Sequence, residues 1–164
     1  MQDSCSSRRS AEAGNCSLGI GANIMTIIER VLLLQGVDLF SNVTTQQLSF
    51  IAAIAEEMAM ESGTVLYREN DAPDGLYVVI SGAVVVSRDG DTIDRIGPNA
   101  PFGVWALFDD QPRLTNAEVS EASRLLFVPR EEFYEVLADH VDIVQGIFKQ
   151  LVQRVRSLAA VAEK

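Results

Sequence analysis

Asp74-Gly75-Leu76-Tyr77-Val78-Val79-Ile80-Ser81-Gly82-Ala83-Val84-Val85-Val86-Ser87-Arg88-Asp89-Gly90 reads as β structure punctuated by turns. Aliphatic, β-branched and aromatic residues fill 76–80 and 83–86, and each run follows a turn dipeptide, Asp74-Gly75 and then Ser81-Gly82. Two short strands are expected, with a turn at Ser81-Gly82. Asp89-Gly90 is a strong hairpin signal, because both positions of a tight two-residue turn favour residues that tolerate positive φ. The alternating segment 92–96 is then the returning strand.

The same texture extends outward. Residues 64–67 form a strand after Ser62-Gly63, Gly97-Pro98-Asn99-Ala100-Pro101 breaks the chain, and two later strands are expected at 116–119 and 124–128. Strands this short, with turns this frequent, argue for a β-barrel or roll rather than a parallel sheet. Helices flank it. Ile24, Ile27, Ile28, Val31 and Leu32 crowd one side of a helix that ends near Gly36, and 37–42 is a turn-like element. Thr44 and Gln47 make a capping-box pattern for a second helix that stops near Glu57. Pro129 suits the first turn of a helix that buries Phe133, Val136 and Leu137. Val141, Val144, Phe148, Leu151, Val155 and Leu158 then recur in steps of three and four, a heptad seam along a long helix. Ile147 and Val152 widen the stripe, so packing on its own domain and pairing with a second copy both remain open. The expected organisation is a disordered tail over 1–23, N-terminal helices over 24–57, a β-roll over 58–129 and C-terminal helices over 130–164. Met25 is an alternative start.

Composition narrows the function. The chain has 164 residues, 48% hydrophobic and 22% charged, enough for one domain with a real core. Thirteen Lys+Arg against 23 Asp+Glu give a net charge of −10, which repels phosphate backbones and anionic lipid. No apolar run is long enough for a membrane span, and no secretory signal is readable. Cys5 and Cys16 both lie in the polar leader, forming neither a disulfide framework nor a metal cluster. A reduced, cytoplasmic protein is the expectation.

Catalytic constellations are missing from the pattern. His140 is the single histidine, and the domain holds no cysteine, so neither a Cys/His nucleophile pair nor a histidine-rich metal site can be built. Asp109-Asp110 reads as a solvated turn rather than as paired catalytic acids. An enzyme is not expected. The informative stretch is Phe102-Gly103-Val104-Trp105-Ala106-Leu107-Phe108, followed by Pro112-Arg113-Leu114-Thr115. Gly103 permits close backbone approach, a helical turn over 105–108 points N–H groups outward, and Arg113 supplies a guanidinium for an anion.

These residues together resemble the cyclic nucleotide-binding domain shared by the catabolite activator protein, protein kinase A regulatory subunits and cyclic nucleotide-gated channels. Asp74 to Gly82 is similar to that family's central hairpin. Phe102-Gly103 and Pro112-Arg113 are similar to the two ends of its phosphate-binding cassette. Leu125-Leu126-Phe127-Val128-Pro129-Arg130-Glu131-Glu132-Phe133 resembles its last strand entering the first C-terminal helix. The resemblance runs from about Leu39 to Leu158. It implies an α+β fold: an antiparallel, jelly-roll-like β-roll (a double-stranded β-helix) flanked by N-terminal helices and a long C-terminal helix. It implies cAMP or cGMP as ligand, with Phe102, Gly103, Val104, Trp105, Ala106, Arg113, Leu114 and Thr115 as the ligand-binding set, and no cofactor or metal.

The cassette departs from the family at two places. Val104 stands where a glutamate usually binds the ribose 2′-hydroxyl, and Leu114 where a small or hydroxyl residue usually follows the arginine. Asn99 replaces a common glycine, a mild change because Asn tolerates a left-handed turn. Losing one charged and one neutral hydrogen bond costs about 2–4.5 kcal/mol, roughly 30- to 1000-fold in affinity. Weak cyclic nucleotide binding, a different anionic or apolar ligand, and no ligand all follow as outcomes. The leading reading is a regulatory sensor whose ligand moves the C-terminal helices. The alternative is a ligand-free scaffold that dimerises through 141–158. A transcription factor with its own recognition module does not fit a chain ending at Lys164 with this charge, so the output is expected to be another protein or domain.

Overall fold

The computed structural model describes residues 24–162. Helix α1, Ile27–Leu34, starts later than the apolar pattern suggests, because Thr26 caps it. The Thr26 hydroxyl accepts from the Glu29 N–H while the Glu29 carboxylate accepts from the Thr26 N–H. A 3₁₀ turn, Asp38–Phe40, occupies the turn-like segment. Helix α2, Thr45–Ile54, opens with the expected capping box between Thr44 and Gln47. It stops before Glu57, because β1, Glu56–Met60, begins there and pairs with the last strand, Asn116–Pro129. That strand was not anticipated: Glu-Glu-Met-Ala-Met carries neither β-branched residues nor clean alternation.

The remaining strands are β2 (Val65–Tyr67), β3 (Gly75–Arg88), β4 (Asp91–Ile96), β5 (Pro101–Phe102) and β6 (Asn116–Pro129). All pairings are antiparallel, in the order β1-β6-β3-β4, with β2 added on β6 and β5 on β3. Two expectations are corrected here. Residues 76–80 and 83–86 are one 14-residue strand, and 116–119 and 124–128 are likewise one. Ser81-Gly82 is therefore not the turn of a hairpin but an irregularity within the β3–β6 ladder, whose register shifts between Val79 and Val84. Gly82 has φ of +96°, and a Cβ there would sit 2.1 Å from Ser123 Oγ. The buried Ser123 hydroxyl accepts from the Ala83 N–H at 3.0 Å and donates to the Glu121 carbonyl at 2.6 Å, stitching the irregularity closed. The hairpin at Asp89-Gly90 joins β3 to β4 as expected, with φ of +54° and +85°.

Strand alternation sorts side chains into two cores. Leu76 and Val78 of β3, with Leu126 and Val128 of β6, face the helices. Tyr77 and Val79, with Leu125 and Phe127, fill the roll. Both faces of these strands are covered, so their runs are continuously apolar. After β6 come α3, Arg130–Asp139, with Pro129 as its cap residue, and α4, Val141–Ala162. Ile143 and Ile147 of α4 are buried in the helical core, whereas Val141, Val144, Phe148, Val155 and Leu158 are exposed. The heptad seam thus points away from the domain for most of its length, and a neighbouring stripe anchors the helix. His140 lies between α3 and α4, half-buried, its ring stacked on Phe50 with centroids 3.9 Å apart. The architecture is α+β, an antiparallel roll with flanking helices and a long C-terminal helix. Residues 1–23 lie outside the described residues.

Candidate functional site

Beside the roll lies a cavity of about 580 Å³. Three short segments build its base. β2 supplies Tyr67; β5 supplies Phe102 and leads into Gly103, whose left-handed φ of +73° turns the chain into a 3₁₀ turn, Val104–Leu107; and the loop before β6 supplies Arg113 and Thr115. The Arg113 main chain is fixed on both sides, its N–H donating to the Asp71 carbonyl at 2.7 Å and its carbonyl accepting from the Asn70 N–H at 2.8 Å.

Arg113 is the notable side chain. It is 7% exposed, and a buried cation needs partners. Its Nη2 donates to Asp74 Oδ1 at 2.5 Å and to the Gly75 carbonyl at 3.0 Å, and its guanidinium carbon lies 3.8 Å from the Tyr67 ring centroid. Its Nε is buried without a hydrogen-bond partner among the described residues. A Cβ on Gly103 would stand 2.7 Å from Nη1, so the glycine is needed for space as well as for φ. Burial pushes the Tyr67 phenol above its ordinary value. The positive charge of Arg113 and a hydrogen bond with the Thr115 side chain pull it back, and Asp74 adds to the rise.

Of the eight residues singled out from sequence, Phe102, Gly103, Trp105, Ala106, Arg113, Leu114 and Thr115 all line this cavity. Val104 does not: it packs against the helical core. The 3₁₀ turn therefore has two faces, with Trp105 and Ala106 on the cavity and Val104 and Leu107 on the helices. Phe108, at the end of the turn, meets Phe133 of α3 edge-on at 5.8 Å. Phe102 stacks on Tyr77 at 5.2 Å and is as much core as wall. Sequence reasoning missed Tyr67, Asp74 and the wall residues Ile93, Asp94 and Asp109. Asp74 had a visible signal as a turn residue before Gly75, but nothing in spacing links it to an arginine 39 positions later. Among the described residues no cluster of side chains could hold a metal ion, and no helix is long and apolar enough to cross a membrane.

Comparison with known proteins agrees with this architecture. The family model for the cyclic nucleotide-binding domain matches residues 57–140. A CRP-like cAMP-activated global transcriptional regulator of Mycobacterium tuberculosis is 28% identical over 116 residues, 66% of this chain and 52% of that protein. A cAMP-dependent protein kinase regulatory subunit of Yarrowia lipolytica is 28% identical over 132 residues, 79% of this chain and 35% of that protein. The N-terminal domain of a transcriptional regulator from Streptomyces coelicolor superposes with a TM-score of 0.72 at 24% identity, covering 77% of this chain and 94% of that one. The chain spans about half the length of the first of these curated relatives and a third of the second. These relatives are regulators by name, and the fold, the cassette and the family match converge: the chain belongs to the cyclic nucleotide-binding domain family.

Proposed function

We propose that this chain is a non-enzymatic sensor domain in which a ligand enters the cavity beside Arg113 and its arrival is relayed to α3 and α4. The observation that carries the reading is Arg113 itself, a buried guanidinium on a cavity wall. Arg113 is the only basic side chain among the lining residues, so an anion entering the cavity has this one cation to meet. The two-faced 3₁₀ turn supports the relay. A ligand that moves Trp105 and Ala106 must move Val104, Leu107 and Phe108 with them, and through Phe108 the ring of Phe133. Population shift requires only that the ligand prefer one arrangement of that turn.

A cyclic nucleotide, cAMP or cGMP, bound weakly, is the family's ligand and the first to test. The net charge of −10 directs the output to a protein or to a second copy rather than to nucleic acid, and a cytoplasmic location goes with that role. A second reading is favoured by two observations. Asp74 already neutralises Arg113 without a ligand, while the exposed seam of α4 offers a dimerisation surface, as a ligand-free scaffold would.

Isothermal calorimetry with cAMP and cGMP, carried to millimolar concentration, separates the two. The sensor reading expects heat that disappears in Arg113→Ala, checked for folding by circular dichroism, and altered amide exchange in α3 and α4. No heat with either nucleotide, heat that is the same in Arg113→Ala, or an unchanged exchange pattern on saturation favours the scaffold.

A further inference from the structure

Resting on the sensor reading, we infer that the cavity selects a small amphiphilic monoanion, a single acid group on an apolar or aromatic body, in preference to a sugar-bearing nucleotide. The wall is divided. At the base lies one cation, Arg113, the only basic side chain among the lining residues. At the rim stand Ile93, Trp105 and Leu114, which are 55%, 61% and 68% exposed although all three line the same cavity. Large apolar side chains left in water around an opening gain free energy when a ligand covers them, and a polar sugar ring does not provide that.

Charge limits the head group. Arg113 is already paired with Asp74, and Asp94 and Asp109 add two carboxylates to the wall. A second or third negative charge on the ligand meets repulsion with no further cation among the lining residues to offset it. Multiply charged phosphates are disfavoured, whereas a carboxylate, a sulfonate or a single diester charge is not. Hydroxyl recognition is weak for a related reason. Val104 faces the helices, and the wall carboxylates Asp94 and Asp109 are exposed, so a sugar hydroxyl would replace water at little gain. A volume of about 580 Å³ suits a ligand of two fused rings or a medium acyl chain.

The test is calorimetry on the full chain with 2-naphthoate, acetate and cAMP, on wild type and on Trp105→Ser/Leu114→Ser, two exposed positions whose substitution leaves the core intact. The expected result is 2-naphthoate binding at least about tenfold tighter than cAMP or acetate, and a loss of about tenfold or more in the double variant. Binding of cAMP as tight as that of 2-naphthoate overturns this inference and leaves the sensor reading standing. Naphthoate affinity that survives in the double variant also overturns it, since the ligand then sits elsewhere, with the α4 seam the first suspect. Silence toward all three probes overturns this inference, and silence toward cGMP as well overturns the sensor reading with it.

Discussion

Asp74 Oδ1 lies 2.5 Å from Arg113 Nη2, although the two residues are 39 positions apart and the arginine is almost wholly buried. The pair does two opposed things. It compensates a desolvated cation, and it competes with any anion for that cation. Asp74→Asn is therefore expected to destabilise the fold by about 1–3 kcal/mol, a value below that of a fully buried pair because the Asp74 side chain is 43% exposed. The same change is expected to raise affinity for a monoanion in the cavity. Urea unfolding and 2-naphthoate calorimetry on one preparation read both effects. A variant that is weaker in both respects would mean that Asp74 only positions the arginine.

Tyr67 gives the fold an alkaline limit. Burial raises its phenol above the ordinary value near 10, against the opposing pull of Arg113. The folded chain thus holds the phenolic proton to higher pH than the unfolded chain does. The contribution of this group is present in full below about pH 10 and is lost as pH climbs toward the raised folded value. Urea midpoints measured between pH 8 and 11 are expected to fall more steeply above 10 in wild type than in Tyr67→Phe. Parallel slopes would assign the alkaline loss to other groups.

The roll and its flanking helices were legible because their determinants are local. Thr44 and Gln47 sit three apart and form the two bonds expected of them. Asp89-Gly90 turns where a tight hairpin should, and Asn99 does adopt a left-handed φ of +69°. What escaped the sequence depends on distant partners. Gly82 looks like a turn, yet Ser123 on β6 makes it an irregularity inside one long strand. Glu56–Met60 has little β propensity and is a strand because β6 offers it a free edge. The side of the 3₁₀ turn that Val104 occupies was equally unreadable, because Val104 suits either an apolar wall or a core. Arg113 was visible as a candidate from the likeness of Pro112-Arg113 to one end of the family's cassette, but its burial, its aspartate and its tyrosine were not.

Gly146 lies in the second turn of α4, inside the helix, where glycine is about 1 kcal/mol worse than alanine in helix propensity. Its absent side chain has a purpose, since a Cβ would stand 2.7 Å from the Asn42 carbonyl oxygen. That contact is where α4 crosses the chain between the first 3₁₀ turn and α2. Asn42 donates to Gln150 at 2.8 Å there, and Arg154 donates to Asp38 at 2.7 Å. Gly146→Ala is expected to destabilise by about 1–3 kcal/mol, overpacking outweighing the gain in propensity. Gln145→Ala, one position away and exposed, serves as the control and should be neutral or slightly stabilising. A rise in the urea midpoint for Gly146→Ala would show that α4 can stand off from Asn42 without loss.

The seam on α4 predicts self-association. Val141, Val144, Phe148, Val155 and Leu158 keep the heptad spacing and are all exposed, while Leu151 between them packs against the helical core, and Gln150 and Arg154 are held to the domain by hydrogen bonds on another face of the helix. Anchoring one face fixes the helix in rotation and keeps the apolar stripe outward. Apolar side chains repeated over five turns match what a second copy of the same helix would bury, and burying each large one contributes about 1.5–3 kcal/mol before association costs. Sedimentation equilibrium is expected to find a dimer at micromolar protein, with Phe148→Glu shifting it to monomer by placing a charge in the seam. Arg154→Ala removes the anchor rather than the seam, so it should weaken the dimer less than Phe148→Glu does. A wild-type monomer at those concentrations would leave the stripe for a partner of another kind, and would mean that a ligand signal reaching α4 ends on a different protein.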